Sequence, residues 1–432
     1  MEEYLKKLPQ EIKELIRVAG EVSAQTRLPV YLVGGFLRDL ILGVKNFDLD
    51  ITVEGSGIVF AGKLAKKLKS RIKIHQRFGT ATLILKDRLK IDIATSRKES
   101  YPCCASLPIV TPGSLREDLK RRDFTINAMA VSITQGLGRK LIDPFGGKDD
   151  LAERKIRILH DLSFQDDPTR ILRAVRFEQR FDFKIERKTL ELLKQAVSSG
   201  LLHKVNAHRI RDDLILMLKE DNPSKQIRRL EGLAGLSFIS PKLKPGKPTY
   251  DLFKAIDKEV AWFTKNFPSR RQLDIWLIYF TALLKPLSLA EIKKITHKLA
   301  LRKGEEKRII SYRKSYQKLI SSLSKRQVFP ARIFSLLEPL SYETIILLGA
   351  TSQNRYLQGH IADFIEIYNG MRLYVSGDDL HGLGVLPGPI YQEIFAKVLA
   401  AKLNAKVATF QDELALIRRL IRCPGSSVLR KQ

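Results

Sequence analysis

Two aspartates, Asp48 and Asp50, stand two residues apart in the run FDLDITV. On a strand, residues i and i+2 point to the same face. Two carboxylates so placed repel each other unless a cation sits between them, and such a pair is what a two-metal phosphoryl-transfer site requires. A third carboxylate, Asp92, lies in the alternating segment KIDIAT. Just upstream, Gly34-Gly35 separates an apolar run from a helical one, with Arg38 one turn further on. Backbone N–H groups at a glycine turn and helix start hold phosphate oxygens, and a guanidinium adds a charge-assisted contact. Taken singly, a D-x-D is as readily a solvated strand face, and a Gly-Gly as readily an ordinary tight turn. Their succession has few structural reasons to occur.

The surrounding pattern predicts the elements that must position these groups. Val30–Val33 reads as a strand, Phe36–Leu42 as a helix closed by Gly43, Phe47–Val53 as a half-buried strand and Gly57–Leu68 as a helix. Thr80–Leu85 and Lys90–Thr95 flank the polar turn Lys86-Asp87-Arg88 and predict a hairpin or meander; Asn127–Ile133 reads as a further strand. From Leu151 to about Glu220 the period turns helical, Asp221-Asn222-Pro223 and Pro241–Pro248 punctuate the chain, and the remainder to Arg422 is again mostly helical. The expected fold class is α+β, a mixed-sheet head followed by helices. The expected division is a catalytic head at 1–150, a helical neck at 151–222, a helical body at 223–350 and a helical, RNA-binding tail at 351–432.

Composition narrows the partners. The 432 residues carry 76 Lys and Arg against 47 Asp and Glu, a net charge of +29. Solubility does not need that excess, and a polyanion, nucleic acid before lipid, is the expected partner. A thermophile's charge-rich surface would raise both signs. Cys103, Cys104 and Cys423 form neither a disulfide framework nor a zinc set. The N-terminal MEEYLKKLPQEIKELI is a charged amphipathic helix without a signal core, and no apolar run reaches 18 residues. A cytoplasmic protein without a membrane partner is expected.

The run VGGFLRDLILGVKNFDLDITVEG resembles the signature of the nucleotidyltransferase superfamily that includes DNA polymerase β. It is most similar to class II tRNA nucleotidyltransferases, the CCA-adding enzymes, and to their bacterial poly(A) polymerase relatives. Three further signatures follow in order: DLKRRDFTINAMA at Asp118–Ala130, DPFGG at Asp143–Gly147 and DDPTRILRAVRF at Asp166–Phe177. A tail segment, SGDDLHGLGVLPGP at Ser376–Pro389, is similar to that of many bacterial members.

The resemblance implies roles position by position. Asp48 and Asp50 would bind Mg²⁺, with Asp92 assisting the attacking hydroxyl. Gly34, Gly35 and Arg38 would hold the triphosphate. Arg121, Arg122, Asp123 and Asn127 would contact sugar and phosphates. Asp167 and Arg170 would read the incoming base, with Arg173 and Arg176 continuing the stripe. Without that context, Asp167 and Arg170 at i and i+3 are equally an intrahelical ion pair. The base-reading chemistry is sound: cytosine and adenine each present an amino donor beside a ring-nitrogen acceptor, which a carboxylate and a guanidinium match. Uracil and guanine reverse both contacts. The implied activity is template-independent addition of C and/or A from CTP and ATP to the tRNA 3′ end, with release of pyrophosphate. The helical body would bind the acceptor and TΨC arms. An A-adding or CC-adding member of a split system, a poly(A) polymerase, and a non-catalytic RNA-binding protein that has kept the fold are the alternatives.

Two departures stand out. Asp166-Asp167 replaces the family's Glu-Asp. The Glu-Arg-x-x-x-Glu element appears as His208-Arg209-Ile210-Arg211-Asp212-Asp213, so both acids change and the order of addition stays open. RKESYPCCASLPIV at Arg97–Val110 resembles the flexible loop near the active site, whose presence argues for A addition. Cys103-Cys104 sit in it, with no base nearby to activate them.

Overall fold

The structure is a computed structural model that describes residues 1–85, 89–134 and 139–422. The expected turn at Lys86-Asp87-Arg88, Cys423 and the polar tail lie outside the described residues. The chain forms two compact units, Met1–Phe238 and Ile239–Gln432.

The first unit is built on a seven-stranded mixed sheet. Its strands are β1 (Val30–Val33), β2 (Leu49–Val53), β3 (Arg71–His75), β4 (Thr80–Ile84) and β5 (Lys90–Thr95). A hairpin of β6 (Arg97–Ser100) and β7 (Ile109–Pro112) stands apart, and β8 (Ala130–Ser132) and β9 (Leu141–Ile142) complete the sheet. The order is β3-β4-β5-β2-β1-β8-β9. Only the β2–β5 pair within it is parallel, with Asp50 directly opposite Asp92. The Gly57–Leu68 helix supplies the crossover that a parallel pair needs. It covers one face of the sheet: Phe60, Ala61 and Leu64 are fully buried, as are Leu83, Ala81, Ile91 and Ile93 of β4 and β5. Each large apolar side chain so removed from water contributes about 1.5–3 kcal/mol. The alternation leaves Asp50, Asp92 and Thr82 on the other face, at paired positions of three adjacent strands.

Several boundaries depart from the sequence expectations. β2 begins at Leu49, so Phe47 and Asp48 lie outside it; the Asp48 N–H donates to Asn46 Oδ1 in a turn instead. The strand expected at Asn127–Ile133 shortens to β8, because Thr125–Asn127 winds into a single 3₁₀ turn. The edge strand β3 is exposed throughout and mixes charge with Ile, so it carries no one-sided apolar signal. The stretch after Leu151 is not purely helical. Two short strands, β10 (Lys155–Ile156) and β11 (Lys184–Ile185), pair in parallel and flank the Ser163–Asp166 and Arg170–Phe181 helices.

The DPFGG motif is a structural joint. Asp143 accepts from the N–H groups of Gly147 and Lys148 at 2.8 Å each, satisfying the first turn of the Gly147–Ala152 helix. A Cβ on Gly147 would stand 2.2 Å from the Thr125 carbonyl oxygen, so only glycine allows this approach.

The second unit is helical. Residues Trp276–Leu284 of one apolar helix are all buried. Among the described residues no single helix is long and apolar enough to cross a membrane. The Ser376–Pro389 segment caps a small core of Val375, Leu380, Val385, Ile394, Val398 and Ile417. Ser376 and Asp379 form a reciprocal capping box there. The buried Glu413 carboxylate accepts from the N–H groups of Tyr374 and Val375 and from Lys402 Nζ.

Candidate active site

β1 delivers the chain into Gly34, which adopts φ +71° before the Gly35–Leu42 helix begins. That left-handed turn favours glycine. A Cβ there would also meet Arg122 Nη1 at 2.8 Å and Asp50 Oδ2 at 3.3 Å. The Gly-Gly turn therefore lies directly against one catalytic candidate and one basic candidate. Together they line a cavity of 480 Å³ with Gly35, Arg38, Arg121, Asp123, Asn127, Asp167, Arg170 and Arg173. A second cavity, of 340 Å³, lies over β2, β4 and β5 and shares Asp50, Arg121 and Arg122; Asp92 and Thr82 line it.

Asp50 is thus the point where the two cavities meet. Burial pushes its carboxyl up to about 6; the Asp92 and Asp48 charges add to the rise, against the pull of Arg122 and Arg38. A carboxylate in that position gains from a cation. Asp48 is exposed at the entrance to β2 and lines neither cavity. Asp92 Oδ1 accepts from Thr82 Oγ1 at 2.5 Å. Among the described residues no cluster of three or more acid, His or Cys side chains is disposed to hold a metal by itself. The donors present are hard carboxylate oxygens, and Mg²⁺ commonly takes one or two of these with substrate phosphates and water. Asp48 and Asp50 fit that demand.

Arg38 is buried and already engaged. Its Nε donates to Asp39 Oδ1 at 2.8 Å and its Nη1 to Asn127 Oδ1 at 2.6 Å. The guanidinium packs on the Phe177 and Phe181 rings, with centroids 5.2 and 4.8 Å away. Burial lowers its pKa and Asp39 opposes the shift. Asn127 Nδ2 donates to Asp123 Oδ1 at 2.8 Å, and Asp123 Oδ2 accepts from Arg173 Nε at 2.9 Å and Nη2 at 2.5 Å. Burial would raise the Asp123 carboxyl, yet Arg173 and Asn127 hold it well below the usual carboxylate range. Asp123 and Asn127 therefore join the glycine turn to the Arg170–Phe181 helix, in addition to lining the cavity.

Asp167 and Arg170 are also held firmly. Arg170 Nη1 donates to Ser163 Oγ at 2.5 Å and Nη2 to the Arg121 carbonyl at 2.6 Å. Asp167 Oδ1 accepts from Thr169 N and Oγ1 at 3.0 and 2.7 Å. It also pairs with Arg209 Nη2 at 2.6 Å. Arg209 belongs to the Ala207–Leu218 helix and lines the cavity. Among the described residues the buried Arg122 Nε and Arg209 Nη1 have no hydrogen-bond partner, which suits an anionic ligand.

Arg176 is not brought to the cavity. It lies over Phe177, 3.8 Å from Glu220 at its Nε, with its pKa lowered by burial. Sequence reasoning did not single out Glu99, Tyr101, Thr169, Phe177 or Arg209 as site residues, all of which line the cavity. Tyr101 arrives on the β6–β7 loop, and that loop touches the neck where the Ala105 N–H donates to the Gln165 carbonyl at 3.0 Å. Cys103 and Cys104 are exposed in the same loop.

A model described as the poly A polymerase head domain matches residues 30–157, and one described as a probable RNA and SrmB-binding site of polymerase A matches 182–246. The A-adding tRNA nucleotidyltransferase of Halalkalibacterium halodurans is 30% identical over 416 residues, covering 94% of this chain and 92% of that protein. The chain belongs to the tRNA nucleotidyltransferase family. A second family member, the A-adding tRNA nucleotidyltransferase of Geobacter sulfurreducens, is 38% identical over 96% of this chain. The chain spans about half of that relative's length, 47%. Among solved structures, a CCA-adding enzyme in an apo form matches with TM-score 0.75 and 36% identity over 96% of this chain and 97% of that one. The Thermotoga maritima CCA-adding enzyme, complexed with tRNA, matches with TM-score 0.70 and 35% identity over 97% and 98%. Family membership makes the chain a nucleotidyltransferase.

Proposed function

We propose that this nucleotidyltransferase adds the terminal A to a tRNA ending in CC, using ATP and releasing pyrophosphate. The observation that carries the reading is the single cavity that joins Gly34-Gly35 and Asp50 to Asp167 and Arg170. The A-adding relatives support the choice of nucleotide. Full CCA addition is the second reading, favoured by the likeness to CCA-adding structures over nearly the whole chain.

In this reading the triphosphate lies along the Gly34-Gly35 turn, where Arg122 and the helix N-terminus supply positive charge. Arg38 acts mainly by holding Asn127 in place. Mg²⁺ held by Asp48 and Asp50 would neutralise the triphosphate and lower the pKa of the attacking hydroxyl. The tRNA 3′ hydroxyl approaches from the second cavity, beside Asp92, which accepts its proton. Asp167 accepts from the adenine amino group and Arg170 donates to the ring nitrogen. Arg209 orients Asp167, and Arg173 fixes the helix that carries Arg170. The excess of Lys and Arg serves the RNA backbone.

The test is incubation of the protein with tRNAs ending before the first C and after the second C, each with CTP or ATP alone. Extension of the CC-ending tRNA by ATP, without extension of the shorter tRNA by CTP, is the expected result. C addition to the shorter tRNA would establish the second reading.

A further inference from the structure

The second unit holds a cavity of 430 Å³ that no catalytic step uses. Small-ligand sites commonly run from about 300 to 1,000 Å³. One wall is a stripe of the Lys247–Asn266 helix: Pro248, Leu252, Ala255 and Glu259 recur at helical spacing. The facing wall is the C-terminal end of the Tyr342–Thr351 helix. Gly349 lets the two walls close; a Cβ there would stand 3.3 Å from Glu259 Oε2.

The charges in this cavity are unusual because they are unspent. Glu259 is half-buried and has no ion pair or hydrogen bond among the described residues. Its pKa is raised by burial alone. It sits beside the end of a helix where carbonyls and the negative dipole end gather, the least favourable place for a carboxylate. Lys285, also half-buried in the lining, lies 5.5 Å from the Tyr316 ring centroid and has no ion pair among the described residues. Lys254 and Lys258 are exposed at the rim, without ion pairs among the described residues; the exposed Asp251 is there too. The floor therefore seeks hydrogen-bond donors, while lysines outnumber acids around it.

A nucleotide meets both demands at once. Guanine presents a ring N–H and an amino group side by side, which a carboxylate can accept together. Adenine and cytosine offer the amino group but set a ring acceptor against the second oxygen. Uracil places carbonyls on both sides of its N–H. Leu252 and Pro248 give the base an apolar wall, and the lysines reach the phosphate. We propose that this cavity is a nucleotide site that takes a guanine base against Glu259, with its phosphate toward Lys254, Lys258 and Lys285. Its source is either an unstacked nucleotide of a bound RNA or a free guanine nucleotide. The proposal rests on the second unit alone and stands whether or not the terminal-A reading holds.

The test is photolabelling of the full chain with 8-azidoguanosine 5′-monophosphate in saturating ATP, which occupies the first unit's cavity. Peptide mapping should place the label within 247–266 or 342–363. Excess GMP should displace it at least about tenfold better than UMP, the discrimination expected of a hydrogen bond to a charged group. Glu259→Gln should reduce labelling about tenfold with the circular dichroism spectrum unchanged. Should that variant fail to fold, the Lys254→Ala/Lys258→Ala pair should weaken GMP while leaving guanosine competition unchanged. Label confined to first-unit peptides, or equal displacement by UMP and GMP, would overturn the proposal. A tRNA lacking its terminal A separates the sources: loss of label on its addition assigns the site to an RNA nucleotide, and persistence assigns it to the free nucleotide.

Discussion

The individual side chains of the site differ in how much they are free to do. Asp50 is half-buried, raised in pKa and shared by both cavities. Asp50→Asn should abolish transfer and leave tRNA affinity within a few-fold, since the acid serves chemistry and the lysines serve RNA; filter binding beside a turnover assay would show it, and near-normal turnover would remove Asp50 from the metal site. Asp167→Ala should raise UTP incorporation relative to CTP and ATP while the overall rate falls. Base contacts of this kind discriminate by about 1–3 kcal/mol, roughly 5- to 150-fold. A competition assay on one tRNA decides it, and unchanged rejection of UTP would place base reading elsewhere. Asp213 behaves differently. Burial pushes its carboxyl up to about 6, with Arg173 and Arg176 opposing and Asp167 adding to the rise. A folded-state pKa above the unfolded value favours the folded chain while the group is protonated. That advantage is lost as pH rises from about 4 to about 6, amounting to about 3 kcal/mol at most. Asp213→Asn should therefore gain stability over the parent across this window and hold the gain above it, read as the difference in Tm between pH 4 and pH 7.

Between elements, the decisive contact is the one that seats Arg38 on the Arg170–Phe181 helix. Phe181 stacks on Phe177 with ring centroids 5.8 Å apart, beneath the Arg38 guanidinium. Phe181→Ala should cost about 3 kcal/mol of stability, the low end for a buried aromatic, because Phe181 is only partly buried. It should also raise the KM for ATP more than a distant core truncation of equal cost. Urea unfolding with kinetics on both variants makes the comparison. This contact shows where sequence reasoning stops. Val30–Val33 was legible as an apolar run because that strand is buried throughout, Lys90–Thr95 because one-sided burial writes a period of two, and the Gly-Gly turn because a φ above zero selects glycine. β3 was not legible, since an exposed edge needs no apolar alternation. Arg38 was legible as a charge near a phosphate turn, but its tie to Asn127 joins segments 89 residues apart in the chain. Arg209 was passed over because its partner, Asp167, lies 42 positions away and only tertiary packing brings them together.

At the scale of the molecule, the candidate catalytic groups gather in one unit while positive charge is in excess in both. Asp48, Asp50, Asp92, Asp167 and Arg170 all belong to the first unit, Met1–Phe238. The lining residues of the first cavity run from Gly34 to Arg209, all within that unit. A chain ending at Phe238 should therefore fold around its own sheet and bind ATP. Its tRNA affinity should fall sharply, with a shallower slope of log affinity against log salt because fewer counterions are released. An unchanged slope in a folded truncation would assign the RNA contacts to the first unit.

The hydrogen bond from Arg170 to the Arg121 carbonyl has a kinetic meaning. Arg121 adjoins Arg122, whose guanidinium flanks the glycine turn. If Arg170 reads the base as proposed, a mismatched base that displaces it would also displace the peptide carrying Arg121 and Arg122. Rejection is then felt at the reacting phosphorus as poor alignment, after the nucleotide has already bound. Fidelity built this way appears as slow turnover of the wrong nucleotide at ordinary occupancy, and raising its concentration does not restore the rate.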